Sequence, residues 1–177
     1  MGLLTNKAPE GINWLNVKEL IRIEPSEILQ EEQQLQFAHF DNDLALRLVI
    51  AIDQYVKRNY PKPVGIKVVH QGLPIIRFLM AGRKESPWLE RKERTVLESG
   101  HSSLYVYAQK DRDIQFAKWA QDEHYAICGG GFPIIEDRKV TGAICVSGLA
   151  HLEDHKVVTE VLKQMIQEDR KGEARWT

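Results

Sequence analysis

The stretch from Ala126 to Ala150, "AICGGGFPIIEDRKVTGAICVSGLA", constrains the fold more than any other. Two apolar runs flank a polar turn at Asp137–Lys139, the pattern of a β-hairpin. A lone hairpin is marginal in water and needs further strands or a helix to cover it. The chain supplies both. A second pair of apolar runs, in "VGIKVVHQGLPIIRFLMAG", flanks "HQGLP" and reads as another hairpin. After the Ala126–Ala150 hairpin, Val157, Val158, Val161, Leu162, Met165 and Ile166 form one stripe at helical spacing. Strands that arrive as hairpins with helices between them predict an α+β layered domain, a largely antiparallel sheet with flanking helices.

Other helices are legible from their ends. Leu44, Ala45, Leu48, Val49, Ile52 and Val56 recur at helical spacing, with Asp41 or Asn42 as cap and "YPKP" as stop. Ser86-Pro87 reads as an N-cap with proline at the first helical position of "WLERKERTVLES", which stops at Gly100. Ser26 is a candidate cap for "SEILQEEQQLQ", and "LQFAHF" a short extended piece. "SSLYVYA" reads as a strand and "DIQFAKWAQDE" as a short helix. Residues 1–25 read as a loose arm, 26–170 as a single domain and 171–177 as a frayed tail.

The whole chain excludes several classes. Its 177 residues suit one domain with a real core. A net charge of −1 gives no overall pull toward nucleic acid or anionic lipid. No apolar run reaches the roughly 18 residues of a membrane helix, and the N-terminus lacks the basic and apolar regions of a secretory leader. Cys128 and Cys145 are too few for a disulfide framework. A reduced, cytoplasmic protein is expected, without membrane insertion.

Four places carry candidate chemistry. Gly129, Gly130 and Gly131 precede "FPII", which is extended, so a nucleotide-binding loop that opens a helix is rejected. They read as a bent strand, or as a bend that exposes N–H groups or leaves room for a flat ligand. His151 and His155 stand at i and i+4 around Asp154. Helix capping by Glu153 and Asp154 is favoured there over a metal site. In "RKESPWLERKER", Arg91 and Lys92 either face solvent or hold an anion, with Trp88 stacked on a planar ligand or anchoring the helix. His101-Ser102-Ser103 sits at a corner. No nucleophile elbow surrounds it, so the serines read as turn residues and His101 as a ligand candidate. The hairpin register sets Cys145 near Gly130 and Cys128 near Ser147, leaving two independent thiols and bringing Ser147 to the glycine wall. His39, His70 and His124 read as structural or surface residues.

The strings "WLERKERTVLESGHSSLYV", "EHYAICGGGFPI", "TGAICVSGL" and "EDH", taken in order, resemble the family of haem-binding and haem-degrading proteins. That family includes the glycolate-operon protein G, the secreted haem-binding protein S and a domain of the propanediol-utilisation cobalamin adenosyltransferase. The resemblance covers roughly residues 35–168. It implies a five-stranded antiparallel sheet with helices, similar to profilin-like and sensor domains, and homo-oligomers. It assigns no catalytic residue and no axial ligand. A ligand pocket is expected from Trp88, Arg91, Lys92, His101, Ser102, Ser103, Gly129, Gly130, Gly131, Ser147 and His155. Its occupant would be a small planar or anionic molecule, haem or another tetrapyrrole being the cofactor the resemblance implies. The alternative is an interaction protein that assembles and binds protein partners, and an enzyme acting on haem or through a metal is the third reading.

Overall fold

A computed structural model describes residues 23–173, so the arm expected over residues 1–25 falls almost wholly outside the described residues. The elements run α1 (Pro25–Gln34), α2 (Asn42–Asn59), β1 (Gly65–His70), β2 (Leu73–Leu79), α3 (Trp88–Ser99), α4 (Ser103–Gln109), α5 (Ile114–Trp119), β3 (Gly131–Glu136), β4 (Lys139–Ser147) and α6 (His151–Glu173). The strands form one sheet in the order β2-β1-β4-β3, and every neighbouring pair is antiparallel.

Strand alternation sorts the side chains into two unequal faces. Ile66 and Val68 of β1, Phe132 and Ile134 of β3, and Ile144 and Val146 of β4 meet the apolar stripes of α2 and α6 in the main core. The opposite face presents small residues. Ala143 and Cys145 receive Leu89 and Val96 of α3, and Leu89 also lies against Gly65. Each large apolar side chain buried in this way contributes about 1.5–3 kcal/mol. The small residues let α3 lie close on the sheet, which brings its first turn to the sheet's end.

Three expectations are corrected. Among the described residues the sheet has four strands, not five. The missing one is "SSLYVYA", which is helix α4: the Ser102 hydroxyl accepts the Tyr105 N–H at 3.3 Å and caps it. Seven residues are too few for helical periodicity to be told from strand alternation, and Tyr and Val tilt the local preference toward strand. "LQFAHF" contributes a lone parallel bridge from Phe37 to Glu136 beside β3. Second, the caps move. Glu24, not Ser26, precedes α1, with Pro25 at its first position, and α3 begins after Pro87 without a side-chain cap. Ser86 instead accepts a hydrogen bond from Arg83. Third, Cys145 lies opposite Gly131, one residue from the expected register. A bulge between Ile134 and Ile135 shifts the pairing.

Candidate functional site

The first turn of α3, the end of β4 and the start of α6 surround an open cleft of about 890 Å³, closed on its other side by α4, α5 and residues 120–128. Trp88 is 43% exposed here, and the Arg91 guanidinium lies 5.4 Å from its ring centroid. Arg83 reaches across to donate to Ser86 Oγ at 3.2 Å and Ser147 Oγ at 3.5 Å. Among the described residues, neither guanidinium has a carboxylate partner. Arg77, by contrast, is bound by Glu85 and Glu90. Across the cleft, Lys110 Nζ sits 4.0 Å above the Tyr107 ring, and Trp119 stacks on Tyr125 at 4.3 Å.

A buried ion pair underlies this cleft. Lys92, 2% exposed, donates to Asp154 Oδ2 at 2.9 Å and to the Val146 carbonyl at 2.7 Å. Asp154 also accepts the Leu149 and Gly148 N–H groups, so it ties β4 to the start of α6. Burial pushes the Asp154 carboxyl up, against the pull of Lys92 and those two donors. Glu153 accepts the Ala150 N–H. The acidic pair after His151 therefore caps the helix, as its position in the sequence suggests.

The three glycines lie behind this pair, and protein fills the space before them. Gly130 has φ +113°, and a Cβ there would stand 2.4 Å from the Val146 carbonyl and 2.6 Å from Lys92 Nζ. A Cβ on Gly129 would meet the His151 carbonyl at 2.2 Å, and one on Gly131 would meet Val96 at 2.8 Å. These positions are glycine so that α3 and α6 can approach the strand backbone.

The remaining candidates separate. Trp88, Arg91, Lys92 and Ser147 line the cleft. Ser103 Oγ accepts the Gly131 N–H at 2.9 Å and so joins α4 to β3. His101 pairs with Glu32 at 2.8 Å, and the Ser102 N–H donates to the same carboxylate. His101 borders a separate cavity of about 520 Å³. His155 pairs with Glu31 at 2.9 Å. It is His151 that lines the cleft, its ring 5.1 Å from that of Tyr107. Among the described residues no group of three or more His, Cys, Asp or Glu is placed to hold a metal. Sequence reasoning missed Tyr107, Lys110, Trp119 and Tyr125, which lie on short helices and a connection with no motif of their own.

The family described as haem-degrading protein HbpS-like matches residues 40–163. The chain belongs to the HbpS-like family. The matched HbpS-like span contains every residue that lines the cleft. A UPF0303 protein of Psychromonas ingrahamii is 32% identical over 152 residues, covering 82% of this chain and 95% of that protein. One from Yersinia pseudotuberculosis is 34% identical over 145 residues, covering 77% and 83%. The crystal structure of the Ybr137w protein superposes with a TM-score of 0.77 at 28% identity, covering 88% of this chain and 94% of that one. A PduOC:heme complex superposes at 0.59 and 17% identity over 72% and 94%, a likeness of fold. Among the described residues, no helix is long and apolar enough to cross a membrane.

Proposed function

We propose that the protein binds a flat, carboxylate-bearing small molecule in this cleft, with haem or another tetrapyrrole as the first ligand to test. The observation that carries this reading is the pair Arg83 and Arg91, two guanidiniums without a carboxylate partner among the described residues, beside the half-exposed ring of Trp88. A guanidinium matches a carboxylate through two parallel N–H donors, and an indole offers a flat apolar face. The cleft volume falls within the range of about 300–1,000 Å³ usual for small-molecule sites. The family description and the heme complex of a fold relative support a tetrapyrrole over other planar acids. Titration of the purified protein with hemin at micromolar concentration tests it. A shifted Soret band that saturates is expected, and an unshifted band overturns the tetrapyrrole assignment.

We further propose that the protein self-associates and works in a reduced, cytoplasmic setting. Among the described residues β2 ends the sheet with one side unpaired, and it exposes Leu73 and Phe78. Both cysteines are free thiols. Light scattering during size exclusion should report more than one copy per particle, and a monomer across the accessible concentration range would contradict it.

A further inference from the structure

Iron in a porphyrin takes a lone pair from the protein, commonly from a neutral imidazole or a thiolate. The cleft is lined by one group of each kind, His151 and Cys128. His151 Nδ1 accepts the Gly129 N–H at 3.5 Å. A backbone N–H can only donate, so Nδ1 carries no proton, and the neutral ring holds its proton on Nε2. A metal-bound imidazole has the reverse arrangement: its outer nitrogen donates to a carbonyl or carboxylate and leaves the other bare for the metal. Burial, reinforced by the Lys92 charge, lowers the His151 pKa and so favours the neutral ring. Burial likewise pushes the Cys128 thiol up, which disfavours the thiolate. Two tyrosines also line the cleft: the Tyr125 hydroxyl is committed to Glu98, and the Tyr107 ring lies under Lys110 Nζ at 4.0 Å and beside His151. His70, His101 and His155 are each held by a glutamate and do not line the cleft. Of the four cations that line it, Lys92 is held by Asp154 and Lys110 lies beside Asp111, while Arg83 and Arg91 are suited to carboxylates rather than to iron.

We infer that the cleft recognises its ligand by its carboxylates and its flat face without coordinating iron, so a metal-free dicarboxylate macrocycle is as good a ligand as the ferric one. This rests on the planar-anion reading above.

The test compares hemin, metal-free protoporphyrin IX and protoporphyrin dimethyl ester on the purified full chain, read by Soret absorbance and by porphyrin fluorescence. Hemin and protoporphyrin should bind within about threefold of each other, and the ester about tenfold or more weaker. The Soret position of the hemin complex should be the same in His151→Gln as in the unaltered protein. Hemin binding about tenfold or more tighter than protoporphyrin overturns the inference and leaves the planar-anion reading intact. Loss of that advantage in His151→Gln would then identify the iron ligand. Failure of all three porphyrins to bind overturns both.

Discussion

Lys92 brings its charge into the interior at 2% exposure, and its ionic partner, Asp154, is about as deeply buried. A pair of this kind tolerates joint replacement better than the loss of one member, because the survivor is left as an unpaired buried charge. Lys92→Met should therefore lower unfolding free energy by about 3–5 kcal/mol in denaturant melts. Adding Asp154→Asn should restore part of that loss, since Asn can still accept the Gly148 and Leu149 N–H groups. Gly130 stands directly against this lysine at φ +113°. Gly130→Ala combines backbone strain with a clash against a carbonyl, and a loss of about 3 kcal/mol or more is expected from thermal melts. Ser103→Ala leaves the buried Gly131 N–H without its acceptor, for a cost of about 1–3 kcal/mol. "CGGGF" was legible as a bend. Its true neighbours were not, because Lys92 and His151 reach it from helices far off in sequence.

Helix α1 shows how an element with few apolar contacts is held. Its Ile28 is buried, but its grip comes largely from two adjacent carboxylates. Glu32 holds the His101–Ser102 corner, and Glu31 holds His155 and Lys163 of α6. Burial works against the ionised form of Glu31, and His155 and Lys163 outweigh it, leaving the carboxyl below its usual range. A carboxyl depressed in the folded state contributes stability that is complete above its unfolded pKa. That contribution is lost as pH falls through the folded pKa. Glu136, bound by Thr141, His70 and the Phe40 N–H despite partial burial, is shifted the same way. Stability should thus fall as pH drops below the ordinary carboxylate range. Glu31→Gln should be less stable at neutral pH and show a shallower acid slope in pH-dependent melts. In the sequence, α1 was visible by propensity, while the role of its glutamates was hidden among other charges. Helices α2 and α6 were read correctly because 18 and 23 residues give several turns of periodicity. Helix α4, with seven residues, gave too little.

At the scale of the whole molecule, an asymmetric sheet sets the site. Bulky residues on one face build the core with α2 and α6. Small ones on the other let α3 settle close and carry Trp88 and Arg91 to the end of β4. The α+β class and both hairpins followed from alternation and turn chemistry. The cleft followed only in part. "PWLERK" pointed to Trp88, Arg91 and Lys92, yet Lys92 is held by Asp154, and Arg83 stands beside Arg91 as the second guanidinium of the cleft. A lysine and an arginine look alike in a charged string, and only burial separates them. Arg83 and Arg91 are the groups proposed to hold the ligand's carboxylates. The most direct test of this proposal is calorimetric titration of protoporphyrin IX into Arg83→Ala/Arg91→Ala, with Arg47→Ala/Arg58→Ala on the exposed side of α2 as the charge-matched control. Affinity should fall about tenfold or more in the first variant, more steeply at low salt, and stay within about twofold in the second. Equal losses in both variants, or none in either, would contradict the account.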